Sequence, residues 1–574
     1  MSDDAMKGIV DLVDNAEPYA TDDLDGGGPP QPPDDGGDGD GGPSPFGKPD
    51  PAVVQACALL DQNDTDNGRR LLNHFGDRWL SVREIGAHIW SGTHWDPDGG
   101  DETLQRMAQE TARRIKLECG HIVMSPADAR MVAEAARIRA DDSAEPTAEA
   151  KALLGRAEAA EKRNGKRRGD RHNFAVSSGN RNRTMSMISQ ALPHRSCAPA
   201  DLDADHMLFN VGNGTLRFRK WVEEDLECPD PDARRMIAHA SVEMLPHNPE
   251  HLIAKISPCT YDPKAVAHLF LAWLERFQPD AEVRRFIQTA VGRALLGGAT
   301  TQVLIFLYGD GANGKSVFME IISEILGGYG GRLKPESIAG ALEGRGDQAT
   351  PDFARLAGKR FVAIAELPRN SPLREGLVKA MTGGEPMPVR HLNKGFFDLL
   401  PEFIPFMSGN DLPDVGGLDH GIWRRLKFVL WPVKVPADEQ RPLKEVVGEM
   451  MAEAPGILNW AIEGALRFLR EGLHEPPAVS SLTEAHREDL DPVGAFVTAH
   501  VRDREDRSVQ ARDMYDGFKL FCEANAIRPW TEKTFSLALK KKGFRREDKR
   551  VRKWLGIELV DVPKPRSPYG SLDR

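Results

Sequence analysis

The segment that most limits what this chain can fold into runs from Val303 to Val317. It reads Val303-Leu-Ile-Phe-Leu-Tyr308, then Gly309-Asp-Gly311-Ala312-Asn313-Gly314, then Lys315-Ser316-Val317. An apolar run of strand length, a glycine-rich loop and a helix start together form the context that a phosphate-binding loop requires. Gly309, Gly311 and Gly314 permit the tight turns that aim backbone amides at an anion, with Ala312 and Asn313 between them. A helix starting near Lys315 adds partial positive charge at its N-terminus. Lys315 then reaches the β and γ phosphates, and Ser316 offers a hydroxyl to magnesium. The expectation is an α/β core taking ATP and Mg2+.

Three further segments fit such a core. The apolar run Arg360–Ala365 reads as a buried strand beside the first, with Glu366 emerging at its end. A carboxylate there serves as a magnesium partner or as a base for the attacking water. The run Phe403–Gly409 reads as another strand, and its terminal Asn410 is placed to hold that water or to sense the γ phosphate. Arg424 and Arg425 precede a last strand, Leu426–Leu430. Either is a candidate for a finger acting on a neighbouring subunit's nucleotide, with a surface ion pair as the evenly weighted alternative.

The chain has 574 residues, enough for three or four domains. Residues 1–50 carry 13 acids and 2 bases among Gly, Pro and Asp runs, so nearly all of the net charge of −12 lies there. Such a leader has too little apolar surface to offset its ordering entropy and is expected to be disordered, as a solubilising tail or as a contact for a basic partner. An α/β domain is expected over 51–200, linking strands and a helical collar over 201–298, the ATPase core over 299–435 and a helical extension over 436–485. A winged helix is expected over 486–562 and a loose tail over 563–574. Within these, 151–184 is a basic stretch read as a helix, a loop and another helix. It either touches phosphates or forms a solvated surface. Asn213-Gly214 signals a hairpin, and 265–298 has an apolar helical face.

The six cysteines form no Cys-x-x-Cys pair, which points to neither structural zinc nor a disulfide framework. No leader resembles a signal peptide and no apolar run has membrane-spanning length, so a cytoplasmic protein is expected.

At the C-terminal end, helices are expected at Val493–Val501, Ala511–Ala524 and Thr531–Lys542, followed by a basic hairpin. Lys541, Arg545, Arg546, Arg550 and Lys553 belong to a cluster suited to phosphates of duplex or forked DNA. No base-reading Asn or Gln stands out, so little sequence specificity follows. The plain alternative is a basic face used in assembly.

Taken together these motifs resemble the superfamily 3 helicases, in the satellite-phage and poxvirus-like primase–helicase branch. Gly309–Ser316 looks like that branch's Walker A segment, Phe361–Glu366 its Walker B, Pro401–Asn410 its sensor strand and Gly421–Arg425 its arginine motif. Lys379–Glu385 resembles the segment before its DNA-facing hairpin. Asp64–Gly68, Asn180–Asn182 and Asn213–Leu216 look like the region preceding such cores, and Phe535–Leu559 like the winged-helix end. The resemblance implies an AAA+ core of superfamily 3 type, a homo-oligomeric ring (typically a hexamer), and ATP-driven movement on single-stranded DNA, typically 3′ to 5′. It implies a pore hairpin, here Pro388–Phe396, carrying Arg390, His391 and Lys394, with Lys379 just before it. A bacterial host and a phage or prophage source go with it.

Two departures stand out. Glu366 is a single acid where many members of that family carry two, leaving water or Asp352 to complete the magnesium shell. No primase fold is legible in 51–290, so a separate primase or polymerase is the expected partner. Two other functions compete. One is a replication initiator or loader that uses ATP only to assemble. The other is a DNA-packaging motor, against which the compact spacing from Glu366 to Asn410 and Arg425 speaks.

Overall fold

The computed structural model describes residues 44–140, 145–225, 235–298, 301–340, 351–366, 372–390, 395–415 and 420–562. The expected disorder of the leader and the loose tail fall largely or wholly outside these residues.

The N-terminal region begins with two short helices, Pro51–Ala58 and Asp64–Phe75, capped by the side chains of Asp50 and Asn63. A small sheet follows. Strands β1 (Trp79–Val82), β2 (Gly86–Trp90) and β3 (Trp95–Asp96) run antiparallel, and β4 (Ser196–Cys197), far along the chain, joins β1 in parallel. Helices Gly100–Arg114 and Arg181–Ala191 cover the sheet, and Leu71, Phe75, Trp79, Leu104, Met107 and Met187 fill the space between.

The basic stretch departs from expectation, because Ala148–Ser178 is one unbroken helix of 31 residues. Asn164, Gly165 and Gly169 lie inside it, and an added Cβ on either glycine would meet nothing. The helix is held from outside. Ala157 and Ala160 are buried along it, and Arg171 enters a buried ion triad in which Glu118 bridges Arg171 and Arg70. Tertiary contacts of this kind override weak local propensity. Several of its other bases are also engaged: Arg163 pairs with Asp128, and Arg168 donates to the Ile122 carbonyl.

Next come β5 (Leu208–Val211), β6 (Gly214–Glu224) and β7 (Met236–Leu245), an antiparallel sheet in that order. Val211 pairs with Gly214, so the turn residues are Gly212 and Asn213, one position earlier than the Asn213-Gly214 signal. Asn213 is held outside the hairpin, since its side chain exchanges two hydrogen bonds with the Tyr261 backbone. Helices His268–Phe277 and Ala281–Arg293 follow, separated by a break at which Asp280 caps the second. The second packs closely on helix Ala454–Glu471. A Cβ on Gly292 would come within 2.1 Å of the Ala465 nitrogen, so the crossing depends on the missing side chain.

The central sheet contains β8 (Leu304–Tyr308), β9 (Gly330–Leu333), β10 (Phe361–Ile364), β13 (Ile404–Gly409) and β14 (Leu426–Leu430). The intervening β11 (Met387–Arg390) and β12 (Phe396–Leu399) form a separate antiparallel hairpin. All pairings in the central sheet are parallel and the order is β14-β8-β13-β10-β9. Its three inner strands, β8, β13 and β10, are apolar on both faces, as a sheet covered on both sides requires. One face meets Phe318, Ile322 and helices His268–Phe277 and Ala281–Arg293, and the other meets Phe353, Val378 and Trp423.

After the helices Leu443–Met451, Ala454–Glu471 and Pro477–Asp489, the last unit packs helices Pro492–His500, Ala511–Ala524 and Glu532–Lys541 against a sheet of β15 (Val501–Gln510), β16 (Arg546–Asp548) and β17 (Arg552–Leu559). Strand β15 was not anticipated. Its sequence is charged almost throughout, and it exists because it pairs with β17, whose Trp554 is fully buried.

Candidate nucleotide site and nucleic-acid surfaces

Parallel strands deliver their C-terminal ends to one edge of a sheet, and ligands bind at that edge in open α/β folds. Here β13 lies between β8 and β10. The loop after β8, the residue after β13 and the carboxylate following β10 therefore converge. The Lys315 Nζ donates to Asn410 Oδ1 at 3.2 Å, and the Asn410 backbone nitrogen donates to Glu366 Oε1 at 3.3 Å.

The loop has the shape its glycines imply. Gly309 and Gly314 have φ of 151° and 84°, and Ala312 also takes a left-handed φ of 58°. The amides of Gly311, Ala312 and Asn313 find no backbone acceptor. Helix Lys315–Leu326 starts directly after them, and its first amides are free by the rule of helix ends. The Lys315 ammonium folds back on the loop, donating to the Gly309 carbonyl at 2.5 Å and to Asn313 Oδ1 at 2.9 Å. A cation resting on its own loop's carbonyls beside unpaired amides is the donor set a polyphosphate satisfies, so the residues fit ATP. Ser316 is exposed next to that cation, and Val317 packs into the core below. Burial lowers the Lys315 pKa, while Glu366 and Asp310 act to raise it.

Several contributors were not legible beforehand. The would-be Cβ of Gly314 lies 2.9 Å from Trp273 and 3.4 Å from Phe277, so helix His268–Phe277 backs the loop. Asn313 Nδ2 donates to the Trp431 carbonyl, and the Val435 amide donates to the Ala312 carbonyl. No motif marks these residues: Trp273 and Phe277 lie on a helix before β8, and Trp431 and Val435 follow the last strand, β14. Ser316 and Glu366 would hold magnesium, which would neutralise phosphate charge there. Asp352 instead accepts from Ser337 Oγ at 2.9 Å, and among the described residues no group of three His, Cys, Asp or Glu side chains could hold a metal.

The two arginines differ. Arg425 is buried and donates to the Gly421 carbonyl, while its own carbonyl accepts from Leu304 at the start of β8. Arg424 is exposed and donates to Gln302 Oε1 at 3.1 Å. Both lie at the N-terminal ends of the parallel strands, opposite the end that carries the glycine-rich loop.

In the hairpin, Arg390 lies over the Phe396 ring opposite it, and Lys379 is paired with Glu375. His391 and Lys394 lie outside the described residues. In the last unit, Lys541, Arg545 and Arg550 are exposed, and they and the half-exposed Lys553 have no acid partner among the described residues. Arg546 instead packs over Trp554 and pairs with Asp548.

Residues 68–279 match the family model described as "D5 N terminal like", a span short of half the chain. A protein of Acanthamoeba polyphaga mimivirus named as a candidate helicase is 27% identical over 272 residues, covering 44% of this chain and 28% of its own length. A Frog virus 3 protein, also named as a candidate helicase, is 26% identical over 45% of this chain and 28% of its own length. A protein of African swine fever virus named as a candidate primase is 24% identical over 52% of this chain and 31% of its own length. The matched region thus spans less than a third of each relative. The solved apo C-terminal region of NrS-1 has a TM-score of 0.35 at 10% identity over 56% of this chain and 93% of its own, too distant to carry an argument. The chain contains an α/β region related to these viral proteins, a kinship that does not single out a phage branch. No helix among the described residues is long and apolar enough to cross a membrane.

Proposed function

We propose that this chain is an ATP- and Mg2+-dependent motor that moves along single-stranded DNA and opens forked duplexes as a homo-oligomeric ring. The observation that carries it is the convergence of Lys315, Asn410 and Glu366 at one edge of a parallel sheet, with a two-stranded hairpin (β11 and β12) in the same core. The strand order supports an AAA+ core of superfamily 3 type, and the last unit's three helices and sheet support a winged helix. Kinship to viral proteins named as helicases supports a nucleic-acid translocase.

In this reading Lys315 and the loop amides bind the β and γ phosphates and Ser316 holds magnesium. Glu366 draws a proton from the attacking water, and Asn410 orients that water beside Lys315. Arg424 reaches the next subunit's nucleotide. The hairpin carrying Arg390, His391 and Lys394 grips backbone phosphates in the pore, and Lys541, Arg545 and Arg550 contact the fork. Primer synthesis comes from a separate primase or polymerase, and a virus or other mobile element is the source. The loader alternative keeps the same site but uses hydrolysis only for assembly.

The test is strand separation on a forked duplex with ATP and Mg2+, with Lys315→Ala and Glu366→Gln alongside. Separation by the unaltered chain, lost in both variants while they still assemble, is the expected result. Hydrolysis without separation in either polarity sinks the helicase reading in favour of the loader.

A further inference from the structure

Two residues of the glycine-rich loop carry polar side chains, and they differ. Asp310 is exposed, whereas Asn313 is only 4% exposed. The Asn313 amide is engaged at both ends. Its Nδ2 donates to the Trp431 carbonyl at 3.2 Å, and its Oδ1 accepts from the Lys315 ammonium at 2.9 Å. These partners fix which end of the amide faces which way, since a carbonyl only accepts and an ammonium only donates. A carboxylate of the same shape would take the lysine but has no donor for the carbonyl.

The Trp431 end of this bridge is anchored. The Trp431 amide donates to the Tyr308 carbonyl at 2.6 Å, which extends the pairing of β14 with β8. The Trp431 ring is buried and lies 5.4 Å from that of Phe318, on the helix that begins at Lys315. The bridge fits because residue 309 has no side chain. A Cβ on Gly309 would lie 2.4 Å from the Trp431 oxygen and 2.7 Å from Asn313 Nδ2.

At the other end, the Lys315 ammonium has three protons and four acceptors. The shorter bonds go to the Gly309 carbonyl at 2.5 Å and to Asn313 Oδ1 at 2.9 Å. The longer ones go to Asn410 Oδ1 at 3.2 Å and to the Asp310 carbonyl at 3.4 Å. An arriving phosphate oxygen replaces the longer, weaker bonds at least cost. The two short bonds then keep the ammonium in place while it turns a proton to the phosphate.

We infer that Asn313 is a positioning residue for nucleotide binding. It ties the Lys315 ammonium to the fixed Trp431 carbonyl, so the empty site already holds the lysine where the β and γ phosphates arrive. The inference rests on the nucleotide-site reading above and adds a residue that acts through Lys315 rather than on the phosphates. Without the tie, a long flexible side chain must be ordered as the nucleotide binds, which weakens binding about tenfold.

The test is equilibrium binding of a non-hydrolysable ATP analogue with Mg2+ to the full chain, by calorimetry. Four forms are compared: wild type, Asn313→Ala, Lys315→Ala and the double variant. Asn313→Ala should weaken binding about tenfold when Lys315 is present and less than about twofold when it is absent. In hydrolysis the larger share of its loss should fall on KM rather than kcat. Asn313→Asp keeps the shape, and a thermal melt by circular dichroism verifies the folding of each variant. Its carboxylate competes with the phosphates for the ammonium, so it should bind the analogue more weakly than Asn313→Ala. Equal weakening by Asn313→Ala in both backgrounds assigns Asn313 to the shape of the loop alone and overturns the inference. Binding unchanged in Asn313→Ala, or Asn313→Asp binding as well as wild type, overturns it too. In each of those cases weak binding by Lys315→Ala leaves the nucleotide site standing, whereas a wild-type chain that does not bind the analogue removes the site itself.

Discussion

Arg424→Ala offers the sharpest reading of how the nucleotide site is completed. Strand β14 holds five residues between Arg424's end of the sheet and the phosphate-loop end. At about 3.3 Å per residue that is roughly 17 Å, beyond the reach of one side chain from its own strand's start. Arg424 therefore acts on its own chain's nucleotide not at all, and on a neighbour's if anywhere. Loss of such an arginine lowers hydrolysis about 1,000-fold or more where it stabilises charge on the transferring phosphoryl group. The assay is steady-state ATP hydrolysis by Arg424→Ala, by Lys315→Ala and by their equimolar mixture. Each alone is inactive. In the mixture, a loop from the first variant meets an arginine from the second at about a quarter of randomly formed head-to-tail contacts, so about a quarter of wild-type activity should return. Inactivity of the mixture, given that mixed assemblies form, refutes an action in trans. Full activity of Arg424→Ala alone refutes the role altogether.

Two further predictions concern the N-terminal region. Glu118→Gln leaves Arg70 and Arg171 buried without their shared carboxylate and should cost about 3–5 kcal/mol in denaturant unfolding, while replacing all three by apolar residues should recover most of it. A cost below about 1 kcal/mol would mean that the backbone carbonyls bonded to both arginines suffice. Burial, with Arg114 and Arg70 adding to it, lowers His74 to about pKa 4. The unfolded chain, with its histidine near 6.5, binds that proton first, so the stability His74 contributes is intact above pH 6.5 and is lost as pH falls toward 4. The ceiling is about 3 kcal/mol, lessened by partial exposure, and His74→Gln should flatten the unfolding profile in that window.

What could be read in advance was whatever a short contiguous segment specifies. An apolar run before Gly309–Ser316 already requires a strand, a tight loop and a helix start, because backbone sterics and anion binding act within a dozen residues. Apolar spacing likewise marks helices His268–Phe277 and Ala281–Arg293, although the break before Asp280 that divides them is set locally by its cap. Strand β15 escaped for the converse reason: its charged sequence carries no strand pattern, and the pairing with β17 creates it. The long helix Ala148–Ser178 has no local reason to continue through Gly165 and Gly169, and it does so because Arg171 is anchored to Glu118.

The sequence by itself determined the chemical kinds present: a glycine-rich loop ending in Lys315, a lone acid, an amide, two adjacent arginines and a basic C-terminal unit. Which of them meet was decided by tertiary structure. The order β14-β8-β13-β10-β9 places Asn410 between Lys315 and Glu366, and the parallel direction of β14 puts both arginines at the opposite end of the strands. Burial then separates the exposed Arg424 from the buried Arg425. Strand order and burial arise from contacts between segments distant in the chain, and adjacent residues of the same type carry no local signal that tells them apart.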